Sequence, residues 1–303
     1  MYRKMYQLIF QWFTIVFGWA SLLSFIIIVA IKFSKIATLP LNLRWEIYPV
    51  PHETSEKRHY GGSYMEQLDW AMKPRSTSLV AELAEMGSEI LLLKRVREHN
   101  PYHLWPLSMA MHWGLYLLLL WIGFLAVRIY IPALTSLSVL VGIVAFILGI
   151  AGTLGLIVKR ATQREFSHYT APIDYFNLVF LAAIFGMGFL SWLADPFFSQ
   201  HQSYIGSLLL LRPTSVSPMV VTMFLLLQVF AIYMPFSKLI HYIMKHFTFS
   251  ETLWDDEFNV KGSPKDKRIQ RQLSYVVNWS GPHIVRLKTW LENVQVASVA
   301  EEE

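Results

Sequence analysis

The chain has no cysteine. That absence excludes thiolate-held iron–sulfur clusters, C-x-x-C-H haem attachment, disulfides and thiol nucleophiles. Charge is scarce too: Asp, Glu, Lys and Arg make up 16% of 303 residues, against about 25% in ordinary soluble domains. No P-loop, G-x-G-x-x-G, H-E-x-x-H or G-x-S-x-G occurs, so phosphate-cradling loops, zincin helices and nucleophile elbows are unsupported. What fills the chain instead is apolar: 54% of residues are hydrophobic and the mean hydropathy is +0.39.

These apolar residues gather into five uncharged runs, 8–31, 106–127, 133–158, 175–194 and 218–237. Each is close to the roughly 20 residues a membrane-spanning helix needs. The expected fold is an all-α membrane protein with five transmembrane helices. Gly142, Gly149, Gly152 and Gly155 in the third run let neighbouring helices approach closely in lipid. Arg3 and Lys4 precede the first run as in a signal peptide. Its 24 residues, however, exceed a secretory apolar region, and no small-residue cleavage site follows. It reads as a retained first helix.

Lys and Arg sort the connecting segments. Twenty-two lie in 32–105, 159–174 and 238–303, and 4 in the others. Positive loops stay cytoplasmic, so the N-terminus is expected outside and the C-terminus inside. Four regions follow: a first helix (1–31), a long cytoplasmic segment (32–105), a four-helix membrane core (106–249) and a polar cytoplasmic tail (250–303). Within the second, Leu79, Leu83, Met86, Ile90, Leu93 and Val96 recur at helical spacing and predict an amphipathic helix over 78–98. Gly61-Gly62 reads as a turn. The Trp, Tyr and Arg residues of 44–53 suit a partner-docking surface better than a plain covering loop. The tail reads as a segment that lies along a partner or lacks a full fold of its own.

Ten histidines are present. His52, His59, His99, His168, His201 and His283 fall in expected loops and read as solvated, while His103 and His246 lie near the inner boundary. His112 and His241 differ. The first sits early in the second run, about 9 Å below its start at 1.5 Å per residue, and the second sits at the inner end of the fifth. Those two runs are antiparallel, so both histidines belong to the cytoplasmic leaflet. An ionisable group at such depth points to a task. Two imidazoles from facing helices suit bis-histidine ligation of a haem b; a buried pair bonded to backbone carbonyls is the plainer alternative. Lys159, Arg160, Arg164 and Lys238 at the same boundary could neutralise haem propionates or simply anchor the helices.

Met234-Pro235-Phe236-Ser237-Lys238-Leu239-Ile240-His241 resembles the end of helix five in the gamma subunit of respiratory nitrate reductase and related membrane cytochromes b. Met111-His112-Trp113-Gly114 is similar to the family's histidine early in helix two, and Lys159-Arg160 with Pro172-Ile173-Asp174-Tyr175 to its third-to-fourth helix junction. The resemblance covers about 106–250. It implies haem ligation by His112 and His241. The family's second, outer haem has its ligand positions at Ile122 and Met223 here, so one haem b is expected. The long segment with Arg44-Trp45-Glu46-Ile47-Tyr48-Pro49-Val50-Pro51-His52-Glu53 and Tyr60-Gly61-Gly62-Ser63-Tyr64 looks more like the cytochrome b subunits that pair with heterodisulfide-reductase-like iron–sulfur proteins.

The resemblance thus implies a quinone-linked electron-transfer subunit of an anaerobic respiratory complex in the cytoplasmic membrane. It would exchange electrons between menaquinone and a cytoplasmic iron–sulfur partner through haem b. The quinone is expected either near Arg128, Tyr130 and Asp195 or beside the inner haem. A haem-free anchor that recruits a cytoplasmic enzyme and a true nitrate reductase gamma subunit are the alternatives. The cysteine count fits a chain that carries part of an electron path.

Overall fold

The computed structural model describes residues 2–38, 49–51, 53, 59–60, 62–72, 78–255, 257 and 260–300. These residues are mostly helical, with no strand among them and only two isolated bridges. The helices are α1 (Tyr2–Ala37), α2 (Leu79–Leu92), α3 (Lys94–His99), α4 (Trp105–Val127), α5 (Thr135–Thr162), α6 (Arg164–Ser167), α7 (Pro172–Ala194), α8 (Ser199–Leu210), α9 (Pro218–Tyr233), α10 (His241–Thr248), α11 (Pro264–Leu273) and α12 (Trp290–Ala300). Five stretches are long and apolar enough to cross a bilayer: α1, α4, Pro132–Thr162, α7 and Pro218–Phe236. Each contains most of one apolar run of the sequence.

Four of these stretches open on proline at the first turn: Pro106, Pro132, Pro172 and Pro218. A proline there loses nothing, because the first N–H groups of a helix have no intrahelical acceptor. Side chains take up some of the remaining donors. Ser217 accepts from the Val220 amide, and the Asp174 carboxylate accepts from the Ala171 amide.

The chain divides into two compact units, 1–29 with 87–240, and 30–86 with 241–303. In the first, α4 and α5 lie backbone against backbone. A Cβ on Gly114 would fall 2.6 Å from Gly149 Cα, and one on Gly152 would fall 2.3 Å from the Met111 nitrogen. The small residues expected to permit close approach do so. Next to α4 and α5 come α7, α8 and α9, around Trp121, Phe146, Phe185, Phe198, Tyr204 and Phe224. Helix α1 buries only Thr14, Ile15, Gly18 and Ser21; a Gly18 Cβ would lie 2.7 Å from Leu208, and the Trp19 indole donates to the Leu208 carbonyl at 2.9 Å.

The second unit has a small core of Val50, Phe249 and Trp254, with Tyr64, Met86 and Leu253 against it. Buried Glu53 accepts from the Ser63 hydroxyl and the Tyr64 amide. The described part of the tail is folded locally. Val276 and Thr289 bridge, and buried Asn293 clamps Val285 through both its amide and its carbonyl. Most of 44–53 and Gly61 of the expected turn lie outside the described residues.

Candidate functional site

His112 lies in α4, partly buried, with Nδ1 2.7 Å from the Ser108 carbonyl one turn back. A carbonyl only accepts, so Nδ1 carries the hydrogen and, in the neutral ring, Nε2 carries the lone pair. Metal-ligating histidines are commonly oriented by such an outer hydrogen bond, which fixes the tautomer. The residue therefore fits a haem ligand.

The predicted cations are placed unequally. Lys159 donates its ammonium to the carbonyls of Tyr102 and His103, the latter at 2.9 Å. Lys238 is paired with Asp174 at 3.0 Å. Arg164 is exposed at the start of α6. Arg160 donates through Nη1 to Thr170 at 3.3 Å, while its Nε is buried with no partner among the described residues. Of the four, Arg160 alone shows an unfilled buried donor, and it is the one that fits a propionate.

Past the end of α9, 3₁₀ turns at Met234–Phe236 and Lys238–Ile240 flank an extended Ser237. His241 then opens α10, on the exposed side, in the second unit. His246 in the same helix stacks on Phe33 with ring centroids 6.0 Å apart. His112 and His241 thus belong to different compact units.

A second constellation escaped the sequence reading. His201 is fully buried in α8, not solvated in a loop. His201, Tyr204, Ile205 and Leu208 form one helical face in the connection between α7 and α9, a periodicity visible in the sequence. His201 Nδ1 lies 3.3 Å from the Asp195 carboxylate, which only accepts, so this nitrogen holds the hydrogen. Nε2 then accepts from the Ser191 hydroxyl at 2.8 Å. The same hydroxyl lies 2.8 Å from the Gly188 carbonyl, so one hydrogen serves two acceptors.

Beside it, Arg128 is 2% exposed. Its Nε donates to Gln202 at 3.0 Å, Nη1 to Ser138 at 2.7 Å and Nη2 to the Phe198 carbonyl at 2.7 Å. Phe198 sits in the left-handed region, φ 54°, where a bulky residue is strained. Trp121 packs edge-on against Phe198 and His201, at 4.9 and 5.5 Å, and Tyr204 stacks on Phe224 at 4.4 Å. Of the residues expected to flank a quinone here, Tyr130 is exposed, whereas Arg128 and Asp195 are tied into this network. The positions that hold outer ligands in the resembled family are filled by Met223, fully buried in this core, and by Ile122, packed against it.

Burial pushes the His201 pKa down to about 4, against the opposing pull of Asp195 and with a further push from Arg128. An unfolded histidine titrates near 6.5. Between those values the unfolded chain binds a proton that the native one does not, so stability falls as pH drops through the window. The thermal midpoint in detergent is expected to fall between pH 7 and pH 5, with His201→Gln flattening that slope. An unchanged slope in the variant contradicts the assignment.

No family model, no curated protein and no solved structure matches the chain.

Proposed function

We propose that the chain is the membrane cytochrome b subunit of a respiratory complex, binding one haem b through His112 and His241. It passes electrons between menaquinone and a cytoplasmic iron–sulfur partner. The observation that carries this reading is the tautomer of His112, fixed by the Ser108 carbonyl within an apolar span. The motif at 234–241 supports it, as does the unfilled Nε of Arg160. When bound, the haem supplies reversible one-electron storage. His112 and His241 would hold it, and Arg160 would place positive charge against a propionate. Lys and Arg asymmetry supports a cytoplasmic C-terminus.

Two features favour a single haem. Ile122 offers no donor atom. His201, the buried histidine of α8, has both ring nitrogens engaged by Asp195 and Ser191. The test is a pyridine haemochrome titration of the purified chain, expected to give one haem b per chain. Two haems per chain would contradict the ligand count, and none would contradict the whole reading.

A further inference from the structure

We propose that α2 is an interfacial membrane helix whose apolar face contacts lipid acyl chains. Its polarity is turned inside out. Leu79, Val80, Leu83, Ile90 and Leu91 are 69%, 78%, 62%, 40% and 50% exposed. At about 100° per residue they share one face. On the other side stand Glu82, Glu85, Ser88 and Glu89. Glu89 is buried, at 6% exposure, and its carboxylate accepts from the Arg95 amide at 2.9 Å. A helix in water shows the reverse arrangement.

The end of α2 points the same way. The last carbonyls of a helix have no intrahelical donor and normally turn to water. Here three aromatic side chains of α4 serve them. The Trp105 indole donates to Leu92 at 2.7 Å, the Trp113 indole to Leu91 at 3.1 Å, and the Tyr116 hydroxyl to Ile90 at 2.9 Å. Tyr116 lies eleven residues along the span from Trp105, a rise of about 16 Å. The carbonyl end of α2 is therefore bonded along a helix apolar enough to lie in hydrocarbon. Hydrocarbon requires such internal satisfaction of backbone groups, because no water is there to supply it.

The flanking residues fit the boundary of a leaflet. Leu93 turns the chain in the left-handed region, φ 48°, and Lys94, Arg95 and Arg97 follow at once. The Arg97 guanidinium lies 5.3 Å from the centre of the Trp105 ring. Basic residues beside an aromatic anchor suit the headgroup layer. This inference stands apart from haem binding.

Because the chain has no native cysteine, single replacements can be read cleanly. Leu83→Cys and Val80→Cys are made separately in the full chain, with exposed Glu98→Cys as the reference, and each is placed in phosphatidylcholine nanodiscs. The expected result is loss of reaction with a charged maleimide at Leu83→Cys and Val80→Cys, with Glu98→Cys fully labelled. Bimane attached at those two sites is then quenched by brominated acyl chains. Labelling at the reference rate without quenching overturns the proposal and makes the face a docking surface for a soluble partner. Both outcomes can be read whether or not haem is present.

Discussion

If His112 and His241 hold haem b as proposed, His112→Ala and His241→Ala are each expected to abolish its absorbance in the purified chain, and His246→Ala to keep it. Low-spin haem b needs two strong axial donors, and replacement by alanine removes one outright. The Ser108 carbonyl loses one side-chain hydrogen bond and keeps its place within α4. Loss of the band therefore reports ligation. Reduced-minus-oxidised spectra give the readout, and added imidazole is expected to restore part of the band in His112→Ala by filling the vacated axial position. His246 has ring partners in Phe33 and Phe247 and serves as the control. Persistence of the band in either ligand variant would falsify the assignment.

Arg128→Met is expected to cost about 3–5 kcal/mol, the range for breaking a buried charged network on one side. The guanidinium ties the end of α4 to Ser138 in α5, to Gln202 in α8 and to the strained Phe198 carbonyl that leads into α8. Its removal strands three acceptors and leaves Asp195 without the positive charge beside it. Arg128→Lys keeps the charge but has no planar fork to reach three acceptors, so an intermediate loss is expected. Thermal unfolding in detergent, followed by tryptophan fluorescence, measures both. Wild-type melting of Arg128→Met would show that the network contributes nothing.

The spans were legible because 18 or more uncharged apolar residues in a row have few other uses. Their ends were less so. Helix α1 continues through Arg3, Lys4, Lys32 and Lys35, because charge at a membrane boundary stops burial without stopping a helix. For α2, periodicity marked a face but not its direction. Leu79, Leu83 and Ile90 suit a protein core or lipid equally well, and the decision comes from Glu89 and the three aromatic donors of α4. His112 stood out in sequence because its surroundings are apolar. His201 did not, since its neighbours Asp195, Ser199, Gln200 and Gln202 read as a polar loop. What hides it from water is Trp121 of α4 and Phe224 of α9, brought in from two other helices, together with Phe198 at the start of α8.

The contact face of α1 sets a condition on how the chain is assembled. The Trp19 indole meets the Leu208 carbonyl 189 residues further on. At about 5–20 residues per second, α1 enters the bilayer some 10–40 s before that acceptor is synthesised. A polar helix could not idle in hydrocarbon for so long. Here the Thr14 hydroxyl donates to Gln11 and the Ser21 hydroxyl to Gly18, both within α1 itself. Those two hydroxyls need no partner outside α1, so its docking at Gly18 can follow as a late step in biogenesis.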